Sequence, residues 1–237
     1  MSAKVYSIIG GVNGCGKSSL TGVLQSQKVC NFLELGTIID VDKLNVQYGN
    51  ALEGGKAAIR LINDCLEKGT SFTQETTLSG VRIERTIRLA KEKGYTVRLY
   101  YVGLDSLEES LLRIQNRVAN GGHNIPKHEV ERRFRHRFED LKRILPYCDE
   151  AAFYDNQNGF VQVAEYQQGV LVPLIEEPPR WIQDLGHYLE SSGFRLPLET
   201  WDPDFTKLTP EEAAVLRQSE QERENGEIFA ENDIDWN

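Results

Sequence analysis

The sequence predicts an α/β fold, a parallel sheet with helices on both faces, and three observations carry that prediction. Short β-rich runs alternate with amphipathic stretches from Lys4 to Asp155, a pattern that pairs strands in parallel through crossover helices. A glycine-rich loop, Gly11-Val12-Asn13-Gly14-Cys15-Gly16-Lys17-Ser18, joins the first strand-like run to the first helix-like one. Asp42, Glu75 and Thr77 fall at the ends of the second and third strand-like runs, the edge where ligands sit in such sheets.

The elements follow in order. Lys4-Val5-Tyr6-Ser7-Ile8-Ile9 reads as a buried strand, and Ser19-Leu20-Thr21-Gly22-Val23-Leu24 opens a helix after the loop. Thr37 to Asp42 reads as a second strand ending in carboxylates. Ala58, Leu61, Ile62, Cys65 and Leu66 have helical spacing, closed by Gly69. Ser71 to Thr77 is a third strand, and Ile83, Ile87 and Ala90 mark a helix stopped at Gly94. Tyr95 to Val102 is a fourth strand; Leu107, Leu111, Ile114 and Val118 give the next helix its apolar face. A hinge, Asn120-Gly121-Gly122-His123-Asn124-Ile125-Pro126, leads into one long helix with Val130, Phe134, Phe138, Leu141 and Leu145 along a side. Glu150 to Asp155 is a fifth strand, and Phe160 to Val172 reads as a terminal hairpin.

The loop has the spacing Gly, four residues, Gly-Lys-Ser, between a strand and a helix. Backbone N–H groups from Gly14 to Lys17 wrap a β-phosphate in such a loop, at a helix N-terminus whose dipole favours anions. Lys17 then reaches the β/γ-phosphates, and the Ser18 hydroxyl ligates Mg²⁺. Gly11, Asn13, Gly14, Cys15, Gly16, Lys17, Ser18 and Ser19 are the expected nucleotide-binding set, for ATP or GTP.

Phosphoryl transfer needs a carboxylate near the acceptor hydroxyl and cations over the moving group. Asp42 has the position for the carboxylate; the other reading makes it a cap for the helix after it. Asp40, deeper on the strand, has a structural role or a contact with a metal-bound water. Glu75 and Thr77 are expected to bind substrate, unless Thr76 and Thr77 merely cap the following helix. Arg132, Arg133, Arg135 and Arg137 form either a solvated face or, after the glycine hinge, a lid over phosphates at about residues 120–137. Arg117 before the hinge and Arg133 after it are the lid arginines that reach the γ-phosphoryl. His123 reads as a hydrogen-bonding lid residue, and His123, His128 and His136 lack a compact metal-ligand set.

The 237 residues suit one kinase-type domain over 1–175 and an acidic extension over 176–237. The first part carries 22 Lys and Arg against 20 Asp and Glu, and the second 5 against 16. A near-neutral body with an acidic tail argues against nucleic-acid binding. No apolar run is long enough for a membrane span, and Cys15, Cys30, Cys65 and Cys148 lack CxxC or metal spacing. Those features lead to an expected cytoplasmic location. Thr209-Pro210-Glu211-Glu212 marks a helix start in the tail.

Taken together, Gly10 to Ser18, Asp40-Val41-Asp42, Glu75-Thr76-Thr77-Leu78-Ser79-Gly80, Gly94-Tyr95, Tyr101-Val102-Gly103-Leu104, Arg117-Val118, Gly121-Gly122-His123 and Tyr154-Asp155-Asn156 resemble the zeta-toxin family. The resemblance spans about residues 4 to 172. It implies a P-loop kinase fold and transfer of a phosphoryl group, from ATP or GTP with Mg²⁺, to the sugar of UDP-N-acetylglucosamine. By position it matches Lys17 and Ser18 to the phosphate loop, Asp42 to the catalytic base, Glu75 and Thr77 to the strand-end substrate motif, and Arg117 and Arg133 to the lid arginines. Two features depart from the family pattern. Thr76-Thr77-Leu78-Ser79 replaces Gly-Thr followed shortly by Arg, and the substrate-side glutamate near Ala57 has Glu53 only as a neighbour. The tail resembles the C-terminal part of small antitoxins, which adds an antitoxin-like inhibitor, in cis or separate, to the expected partners. A nucleoside or antibiotic kinase and a nucleotide-gated binding protein stay open as alternatives to a sugar kinase.

Overall fold

A computed structural model describes residues 4–26, 35–122, 124–167 and 170–193. Seven strands form one sheet in the order β2-β3-β1-β4-β5-β6-β7. They are β1 (Val5–Gly10), β2 (Thr37–Asp40), β3 (Phe72–Thr76), β4 (Thr96–Val102), β5 (Glu150–Asp155), β6 (Val161–Gln167) and β7 (Val170–Pro173). The first five pair in parallel, with β1 between β3 and β4. The hairpin β6–β7 continues the sheet antiparallel beyond β5, as a short connection between neighbouring strands requires.

All six residues of β1 are buried, as expected for a central strand covered on both faces. Tyr6 and Ile8 join one apolar cluster and Ile9 the other, so alternation feeds both faces. The larger cluster takes side chains from α3 (Ala51–Lys68), α4 (Arg82–Glu92), α7 (Arg137–Ile144) and α8 (Arg180–Ser191). The smaller one packs Leu20 and Leu24 of α1 (Lys17–Ser26) and Leu104 against the other face. The remaining helices are α2 (Val41–Tyr48), α5 (Leu107–Ala119) and α6 (Lys127–Arg135).

Three boundaries differ from the sequence expectation. Strand β2 stops at Asp40, and Asp42 lies in the first turn of α2. The cap belongs to Asp40, whose carboxylate accepts from the backbone N–H groups of Asp42 and Lys43 at 3.0 and 3.2 Å, satisfying two orphan donors. The long helix expected after the hinge is two, α6 and α7, broken at His136, where ψ is 7°. The break sends Phe134 to the smaller cluster and Phe138 to the larger one; a single straight helix cannot serve both faces of a sheet. Finally, α8 follows Pro178-Pro179 and buries Trp181, Ile182, Leu185 and Leu189. The apolar core therefore takes side chains from beyond residue 175. The hydrogen-bonding role of His123 and the tail helix from Thr209 lie outside the described residues.

Candidate active site

In the loop between β1 and α1, the lysine turns back onto the loop's own backbone. Lys17 Nζ donates to the carbonyls of Gly11 and Val12, both at 3.0 Å. Gly11, Gly14 and Gly16 have φ of 144°, 77° and 108°, values that side chains other than glycine's rarely permit. A Cβ on Gly11 would stand 2.4 Å from the Val102 carbonyl oxygen. Cys15 is fully buried, and burial pushes its thiol pKa up; it supports the loop from beneath rather than facing a ligand.

Glu75, at the end of β3, is 5% exposed. Its two oxygens accept from the hydroxyls of Ser18 and Thr21, each at 2.6 Å. The first turn of α1 is thereby fastened to the neighbouring strand end. Thr76 Oγ1 accepts from the Leu78 backbone N–H at 3.0 Å, and the Thr77 and Ser79 hydroxyls lie 2.9 Å apart. Neither threonine caps α4, whose N-cap residue Val81 makes no side-chain capping bond. Leu78 has φ of 63°, unusual for a branched residue.

These parts line one cleft of about 440 Å³. The loop contributes Asn13, Gly14, Gly16, Lys17, Ser18 and Ser19; the ends of β2 and β3 contribute Asp40, Glu75, Thr76 and Thr77, and α2 contributes Asp42 and Asn45; Arg113, Arg117 and Arg133 line it from α5 and α6. Of the expected nucleotide set, Gly11 and Cys15 stand behind the wall, buried. Asp42 is exposed to the cleft rather than spent on a cap. Arg133 Nη1 donates to Asn13 Oδ1 at 3.1 Å, and its Nη2 pairs with Glu129 at 2.6 Å. Helix α6 therefore touches the glycine-rich loop directly.

Sequence reasoning gave no site role to three residues in or behind the cleft. Arg113 lies one turn before Arg117, and it donates to the carbonyls of Asn156 and Cys15 at 2.7 and 3.4 Å. Its i,i+4 spacing to Arg117 was a usable signal. Asn45 follows Asp42 by three residues, which brings both to one side of α2. Asn156 donates from Nδ2 to the Cys15 carbonyl at 3.0 Å, a contact spanning too much sequence for any local pattern. Of the other histidines, His136 bonds Glu139 at 2.9 Å, and no group of three His, Cys, Asp or Glu among the described residues has the arrangement of a metal site.

The zeta toxin family model matches residues 40–160, just over half of the chain. The chain belongs to the zeta toxin family. Its P-loop phosphotransferase fold is the one this family uses. An uncharacterized protein of Haemophilus influenzae is 33% identical over 130 residues, covering 52% of this chain and 88% of that protein. Among solved structures, one from the PezAT chromosomal toxin–antitoxin system of Streptococcus pneumoniae superposes with a TM-score of 0.52 at 17% identity, over 95% of this chain and 88% of that one. The AvrRxo1-ORF1:-ORF2 structure with ATP gives 0.54 at 17% identity, over 73% of this chain and 61% of that one. At that identity the likeness is one of fold. No helix among the described residues is long and apolar enough to cross a membrane.

Proposed function

We propose that this zeta-family chain moves the γ-phosphoryl of ATP or GTP to a hydroxyl of a small molecule. The observation that carries the reading is a single cleft lined by Lys17, Asp42 and three arginines at the end of the sheet. Asp42 takes the acceptor's proton as the hydroxyl oxygen forms its bond to the γ-phosphorus and the bond to the β-phosphate oxygen breaks. Lys17, Arg117 and Arg133 offset the charge on the phosphoryl oxygens, worth most in a site screened from water. Thr77 orients the acceptor, and Glu75 acts from beneath it by holding Ser18 and Thr21. A UDP-N-acetyl sugar is the first acceptor to try, because it is the one the family resemblance implies.

The site suits Mg²⁺. The Ser18 hydroxyl and the buried Glu75 carboxylate are hard oxygen donors 2.6 Å apart, and Mg²⁺ takes few protein ligands beside water and phosphate oxygens. Ser18 would be its protein ligand, and the ion would supply charge neutralisation at the phosphates. On the partner side, the excess of 16 acidic over 5 basic residues after 175 favours an acidic, antitoxin-like inhibitor, built into the chain or separate.

The test is transfer of labelled γ-phosphate from ATP and GTP with Mg²⁺ to UDP-sugars, nucleosides and aminoglycosides, read by mass spectrometry. A phosphorylated product is expected, lost in Lys17→Ala and reduced at least about 100-fold in Asp42→Asn, the usual scale for a general base. Nucleotide binding without product, unchanged in Asp42→Asn, would make the chain a nucleotide-gated binding protein instead.

A further inference from the structure

The helix after the double proline reaches the phosphate loop through a short series of contacts. Trp181 is 1% exposed. Its backbone N–H donates to Asp105 Oδ1 at 2.9 Å, and its indole N–H donates to Asp155 Oδ1 at 3.2 Å. The second oxygen of each carboxylate turns to Gln157: Asp105 Oδ2 accepts from Gln157 Nε2, and Asp155 Oδ2 from the Gln157 backbone N–H, both at 3.0 Å. Two aspartates at the ends of β4 and β5 thus grip α8 with one oxygen and the loop after β5 with the other. Asn156 sits inside that grip and fastens the Cys15 carbonyl at 3.0 Å. In a planar trans peptide the C=O and N–H point opposite ways, so holding this carbonyl turns the Gly16 N–H away from Asn156.

We propose that Trp181 is a positioning residue for nucleotide binding: its two N–H groups hold the Asp105–Asp155 bracket, which sets Asn156 and, through it, the Cys15–Gly16 peptide. The inference rests on the nucleotide reading above. Packing alone does not account for the arrangement. Packing against Tyr101 and Phe153, at centroid distances of 5.9 and 6.4 Å, needs only an aromatic ring, whereas the indole N–H bond to Asp155 needs a tryptophan. The family match ends at residue 160, so the bracket lies within it and Trp181 is the member supplied from beyond.

The test is ATP affinity by calorimetry, with Mg²⁺, in full-length wild type, Trp181→Phe, Asn156→Ala and the double variant, at a temperature where circular dichroism shows all four folded. Each single change is expected to weaken ATP about three- to tenfold, the scale of one hydrogen bond. The double variant should bind no worse than its weaker parent, because both act on one chain of contacts. Wild-type affinity in Trp181→Phe, or losses that multiply, overturns the proposal; a wild type that does not bind ATP overturns the nucleotide reading instead. Should Trp181→Phe fail to fold, full-length Trp201→Phe/Trp236→Phe leaves Trp181 as the only tryptophan. Its emission should then change when ATP is added, and an unchanged spectrum counts against the brace.

Discussion

Glu75 is nearly buried and both of its oxygens are engaged, so it has no freedom to act except through Ser18 and Thr21. In Glu75→Gln one oxygen becomes an amide nitrogen, which donates instead of accepting, so one of those hydroxyls loses its acceptor. Phosphotransfer should fall about 10- to 100-fold, as for other groups that orient a metal ligand, with the melting temperature nearly unchanged. Steady-state kinetics beside thermal denaturation checks this, and full activity would refute it. Much at this scale was legible in advance. Lys17 and Ser18 are named by the spacing of the loop, and Glu75 by its place at a strand end. The division of labour between Asp40 and Asp42 was not, because both letters suit a cap. Only the observed end of β2 assigns the cap to Asp40 and leaves Asp42 to the cleft.

Among the helices, α7 ties α6 to the turn after β3. Arg143 Nη2 donates to the carbonyls of Leu78 and Gly80 at 3.1 and 3.0 Å, and to Asp140 at 2.8 Å. Burial raises the Asp140 pKa above its ordinary value, although Arg143 pulls the other way. The folded chain therefore binds this proton more tightly than the unfolded one. Ionised Asp140 costs stability at neutral pH, and that cost lifts as pH falls through the raised value toward about 3.9. Relative to Asp140→Asn, wild type should gain urea stability between pH 7 and pH 4; the opposite slope would show that the pairing with Arg143 dominates. The helix break at His136 that gives α7 its own direction was not readable. Residues 127–144 contain no glycine or proline, and the cause is tertiary, with Phe134 and Phe138 needed in different clusters.

For the whole molecule, the parallel sheet, the loop and the terminal hairpin were readable from strand and helix alternation. Helix α8 was not, because Pro178-Pro179 looks like an ending. A chain stopped after Pro179 loses Trp181, Ile182, Leu185 and Leu189 from the core. At about 1.5–3 kcal/mol for each buried side chain, against a typical total of about 5–15 kcal/mol, it should not unfold cooperatively in urea. A chain stopped after Leu196 keeps the whole compact unit and should fold. If the acidic extension is the inhibitor, phosphotransfer by the shorter chain rises; an unchanged rate removes the in-chain form of that reading. The placement of α8 also bears on synthesis. The loop at 11–18 leaves the ribosome ahead of the residues that shape it, which lie at 75, 113, 133 and 156, with the brace at 181. Long-range closures of this kind wait for the distant chain. The catalytic cleft is therefore assembled only after nearly the entire domain has been translated, and a nascent chain carries its phosphate loop without the surroundings that hold it in shape.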